Sequence, residues 1–163
     1  MKTLLGILPW AVVLAVGGIA IWFLLDQEMA IGPWLLAGIL LGHGLVHGLY
    51  FVPAPASGPD RPTWPFDLGR SWPVRSLGLG IGLVRAGSLV LFLVVVVAFT
   101  LAALATVGIL VPADLWGPLV IVGAAASLAM LVVGFDAMLA LGIGIDIVLL
   151  VVVLGPLWSP ATT

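Results

Sequence analysis

Cysteine is absent from the 163 residues, which excludes disulfides, thiolate nucleophiles and cysteine-held zinc or iron–sulfur centres. Charge is scarce as well. Only 7% of residues are Asp, Glu, Lys or Arg, where soluble domains carry about 25%. Five basic residues against seven acidic ones leave no basic surface for nucleic acid. Disorder is excluded, because it needs low hydrophobicity and high charge. Phosphate-loop, G-x-S-x-G and H-E-x-x-H patterns are missing too. What remains is apolar: 63% hydrophobic residues and a mean hydropathy of +1.37. Those values belong to a protein whose solvent is the lipid bilayer.

A hydrocarbon core of about 30 Å takes about 20 apolar residues in a helix. Five such runs are present, at about 4–25, 31–52, 80–110, 115–133 and 137–158. The expected fold is therefore an all-α bundle of five transmembrane helices in a single domain. The last two runs cannot be one helix, since Leu115 to Trp158 would extend about 65 Å at 1.5 Å per residue. The first run is longer than a signal-peptide core of about 7–15 residues and has no A-x-A-like site, so it is expected to be retained.

Orientation follows from charge. Lys2, Arg61, Arg70, Arg75 and Arg85 all fall on one side of the expected topology. The positive-inside bias puts that side, with the N-terminus, in the cytoplasm and the C-terminus outside. Trp22, Trp34, Trp116 and Trp158 then lie at outer ends and Trp64 and Trp72 at the inner one, as interfacial indoles do. The expected location is a bacterial cytoplasmic (inner) membrane.

Between the second and third runs, residues 53–76 hold half of the twelve prolines, with Trp64, Phe66, Leu68 and Trp72 among them. Proline at that density opposes a helix interior and favours extended backbone. The expectation is a cytoplasmic segment lying on the headgroups or folded back onto the bundle. Its Arg70 and Arg75, with Arg85, are candidates for lipid-phosphate contact or ion pairing.

Ionisable groups inside the membrane are costly and are candidate functional residues. His43 and His47 are four residues apart, so on a helix their rings share one face. That spacing suits two imidazoles on one metal ion, although no Glu accompanies them as in zinc-protease helices. Asp146 lies in the fifth run. His43 and Asp146 each fall nine residues from the inner helix ends, about 13 Å deep in both cases. Together, His43, His47 and Asp146 form the candidate site for a divalent metal or a proton. Backbone-bonded, structural histidines are the competing reading, with Gly38, Gly42, Gly44 and Gly48 allowing close helix approach. If the third helix starts near Leu77, Arg85 becomes the natural counter-ion of Asp146. If it starts near Ser88, Arg85 snorkels to the phosphates, the preferred alternative. Asp114 and Asp136 are expected to cap the helices they precede. The glycine-dense stretch 78–82 reads as helix-packing or hinge material.

The segments His43–Gly48, Pro65–Trp72 and Phe135–Asp146 resemble a group of small bacterial polytopic membrane proteins that share an early histidine pair, a tryptophan-bearing loop and late aspartates. The resemblance covers the chain from the second helix onward and implies only that these histidines and aspartates are sites. Three roles follow. The first is an accessory subunit packing in a homo-oligomer or with partner membrane proteins. The second is a proton or divalent-metal binding or transport module using the His/His/Asp set. The third is a membrane enzyme acting on a lipid or quinone, which needs a lateral opening beside the histidines.

Overall fold

The computed structural model describes residues 32–53 and 64–155. The expected first helix, Trp22, Arg61 and Trp158 lie outside the described residues. Within them every regular element is helical: α1 (Gly32–Val46), a short α2 (Trp72–Leu77), α3 (Ile81–Thr106), α4 (Trp116–Val133) and α5 (Ala140–Leu154). Single 3₁₀ turns extend α1 through His47–Phe51 and precede α4 and α5. Four stretches are long and apolar enough to cross a membrane: Gly32–Phe51, Ile81–Thr106, Ala113–Val133 and Ala137–Leu154. These correspond to the second to fifth expected spans.

The spanning helices form a row in which α1 packs on α3, α3 on α4 and α4 on α5. Small residues set the closest seam. A Cβ on Gly123 of α4 would lie 2.6 Å from the ring of Phe99 on α3, so only glycine admits that ring. Phe99, Val95, Ala102, Val120 and Ala124 are fully buried along this seam. Trp116 is buried there too, at 3% exposure. That corrects the expectation of an interfacial indole, because Trp116 is the first residue of α4 and packs inward. Trp34, 62% exposed, keeps the surface position.

The proline-rich segment folds back onto the bundle from residue 64 onward and contains a helix, α2, that the proline spacing argued against. Pro73 occupies the first turn of α2, where its missing N–H costs nothing. The Trp72 indole Nε1 donates to the carbonyl of Val132 at 2.8 Å, fastening α2 to the end of α4. Gly78, at φ +65°, ends α2 in the left-handed conformation that glycine tolerates best. A Cβ at Gly78, Gly80 or Gly82 would meet open space, so these glycines are not a packing surface; Gly78 and Gly80 lie in the break between α2 and α3, and Gly82 lies in the first turn of α3. Asp136 accepts from the Met138 N–H at 2.9 Å, as a cap should. Asp114 makes no such bond: it sits inside the 3₁₀ turn Ala113–Leu115, and Leu115 occupies the cap position of α4.

Candidate functional site

The two ends of the row, α1 and α5, meet through polar side chains. His43 on α1 and Asp146 on α5 are 2.9 Å apart, Nε2 to Oδ1, across 103 residues of sequence. Equal depth, argued above from helix ends, is thus realised as contact. Glycine permits the approach: a Cβ on Gly142 would come within 3.1 Å of Leu131 and 3.7 Å of the His43 ring. From the other side Phe99 packs on His43, with ring centroids 5.6 Å apart.

His47 belongs to the same cluster. It opens the 3₁₀ turn after α1, its ring perpendicular to His43 with centroids 5.2 Å apart. Its Nδ1 lies 2.9 Å from the His43 carbonyl oxygen, which can only accept, so Nδ1 carries a hydrogen. Its Nε2 lies 2.9 Å from Ser127 Oγ on α4. Ser127 Oγ is in turn 2.5 Å from Asp146 Oδ2 and 3.3 Å from His43 Nε2. All four side chains are buried, Ser127 and Asp146 completely.

Ser127 is the member that the sequence reading missed. One signal was available, because Ser127 is the sole hydroxyl in the apolar run 115–133. Polar side chains in such helices tend to bond across to a neighbouring helix.

The arrangement bears on the metal reading. Among the described residues no group of three or more His, Cys, Asp or Glu side chains is disposed to hold a metal ion. The Nε2 of His43 meets Asp146 directly, and the hydroxyl of Ser127 stands between the Nε2 of His47 and the carboxylate.

The arginines stand apart from this cluster. α3 begins at Ile81, between the two expected starts, and its 26 residues extend about 39 Å at 1.5 Å per residue, beyond a core of about 30 Å. Arg85 is exposed near the start of α3, within that surplus, and the partner of Asp146 is His43 instead. Arg70 and Arg75 border a small cavity of about 100 Å³ with Asp67 and Asp136, at the same end of the bundle. Asp67 caps its own turn by accepting from the Gly69 N–H at 2.9 Å.

Two further cavities flank the site. One of about 450 Å³, mainly apolar, lies between α1 and the start of α5 against His43 and His47, bounded by Leu131, Leu139 and Phe66. The other, about 210 Å³, lies nearer the arginine-bearing end, among Tyr50, Trp64, Phe66, Asp67 and Arg85. Tyr50 forms part of the wall of this smaller cavity. It is buried, stacks edge-on with Phe66 at 5.2 Å, and its hydroxyl donates to the Gly134 carbonyl at 3.4 Å. A Cβ on Gly134 would fall 2.6 Å from the Tyr50 ring, so this residue too must be glycine for Tyr50 to seat.

No known protein family, curated protein or solved structure matches the chain. The site is therefore read from its own chemistry within a small polytopic membrane protein.

Proposed function

We propose that this protein is a membrane-embedded proton-carrying module, with His43, His47, Ser127 and Asp146 as the proton-holding group. A hydrogen count supports the reading. Four close contacts join the group: His43–Asp146, Asp146–Ser127, Ser127–His47 and His47 to the His43 carbonyl. Each uses one hydrogen. Two neutral imidazoles and one hydroxyl supply three, and an ionised carboxylate supplies none. The fully bonded cluster therefore takes one proton more, carried by Asp146 or by His47, and becomes neutral overall. Without that proton one contact sets two acceptors against each other and a net charge of −1 is left in the apolar interior, where an uncompensated charge is costly. Two states that differ by one proton, in a group joining three helices, are what a proton carrier requires.

The observation that carries the reading is the position of Ser127 Oγ, within hydrogen-bond distance of both Asp146 and His47 while it has a single hydrogen to give. In this reading the arginine-bearing end, with Arg70, Arg75 and Arg85 at the lipid phosphates, faces the cytoplasm. Reconstitution tests it. Liposomes loaded with a pH-sensitive dye and driven by a potassium diffusion potential should take up protons faster with the protein than without it. Asp146→Asn and Ser127→Ala should lose the increment. Flux equal to that of empty liposomes, with an infrared signature of an ionised Asp146 throughout the accessible pH range, would overturn it.

The second reading, an accessory subunit, has its own support. A Cβ on Gly38 or Gly42 of α1 would meet nothing within 4 Å, leaving a small-residue surface for a partner helix. Bulky residues at both positions should weaken association while leaving proton flux intact.

A further inference from the structure

A buried proton site needs a path to water, and the two cavities beside the cluster share one aromatic side chain in their walls. The cavity near the arginine-bearing end has Asp67 and Arg85 in its wall, so it is a place for water. The larger, apolar cavity touches both imidazoles, and among the described residues no Asp, Glu, Lys or Arg lines it. Phe66 lines both. Its ring is half-buried, held edge-on by Tyr50 at 5.2 Å and tilted against Trp64 at 5.3 Å. The backbone at Phe66 is a turn rather than a helix, so rotation of the ring about χ1 is not restricted by a preceding helical turn.

We infer that the 210 Å³ cavity is a water-holding vestibule for the histidine pair, and that the Phe66 ring is the partition which water must pass to reach His47. Tyr50 is the positioning residue for that partition. Buried and seated against Gly134, it offers Phe66 a fixed surface to close upon. The vestibule takes water and hydrated protons. Among the described residues its wall supplies the Asp67 carboxylate, which accepts from water and hydrated protons, and the Arg85 guanidinium, which donates to water, while the apolar side beyond Phe66 keeps a continuous water thread from forming when the ring is closed.

This inference rests on the proton reading for its purpose, but its test measures water access alone. The chain has only two histidines, so deuterium exchange at the imidazole C2 position, followed by mass spectrometry, reports on the site without background. With the full chain in lipid nanodiscs in D2O, Phe66→Ala should shorten the exchange half-time of His47 several-fold, and Phe66→Trp should lengthen it. Amide exchange in α4 is followed alongside, to separate access from unfolding. If Phe66→Ala also loosens α4, the Trp variant decides: slower exchange supports the partition and an unchanged rate overturns it. Equal His47 rates in wild type, Ala and Trp overturn it as well. Exchange that follows Phe66 in a protein with no flux would sink the proton reading and leave the vestibule standing. Asp146-dependent flux with exchange indifferent to Phe66 would do the reverse.

Discussion

The seam between α3 and α4 and the junction between α1 and α5 hold the same bundle by different means. Along α3 and α4 the contact is close and apolar, with Phe99 lodged against Gly123 and rows of alanine on either side. Between α1 and α5 the tie is polar, through His43, Asp146 and the hydroxyl of Ser127. The difference follows from the solvent. Lipid is as apolar as leucine, so burying a leucine between helices gains little, and association rests on tight packing or on hydrogen bonds. α3 and α4 use the first. α5 has less to pack with: 17% of its spanning window is buried, against 39–44% for the other three helices. A helix so exposed is placed by its polar bond, and the residue making that bond, Asp146, is one of two buried residues on α5, with Leu149.

Substitutions can break or sharpen that contrast. The largest effect is expected at Asp146→Ala, which strips His43 and Ser127 of a shared acceptor and should cost about 2–4 kcal/mol in unfolding from detergent micelles. A loss no greater than that of an exposed substitution would mean that α5 is held by packing after all. On the apolar seam, Gly123→Val should cost about 1–3 kcal/mol by forcing a side chain into the Phe99 ring, and a compensating Phe99→Leu should recover part of it. Ser127→Ala should cost about 1–2 kcal/mol. Because Ser127 and Asp146 share one bond, the double variant should lose less than the two single losses together, a coupling that a thermodynamic cycle reads directly. Trp72→Phe removes only the bond to Val132 and should cost about 0.5–1.5 kcal/mol, with increased proteolysis between Leu77 and Ile81 as a second readout. Smallest of all, Ile147→Ala, next to Asp146 but 51% exposed, should change stability by less than about 0.5 kcal/mol.

Much of this was legible before any coordinates. Span boundaries were readable because about 20 apolar residues per crossing is a hard constraint of the bilayer, and the four spans within the described residues lie close to their expected limits. The depth match of His43 and Asp146 was readable because helical rise is constant. Rotation was not. Whether Asp146 faces α1 or lipid depends on how α5 packs on α4, which the run 137–158, apolar all round apart from Asp146, does not encode. Arg85 shows the same limit. Its competition with His43 for Asp146 turned on where α3 begins, and the break at Gly78–Gly80 is a conformational choice among several glycines. Ser127 escaped notice for a related reason, since a lone hydroxyl becomes a site member only through the neighbours it meets.

By itself, then, the order of residues determined that this chain lives in a membrane, roughly where its helices cross and which ionisable groups are carried to mid-depth. Those properties depend on length, hydropathy and helical rise, all local quantities. Tertiary structure alone decided that the carboxylate of α5 meets the imidazoles of α1 through a hydroxyl on α4. That meeting depends on the rotation and close approach of three helices, set by glycines at positions 123, 134 and 142 against Phe99, Tyr50 and Leu131.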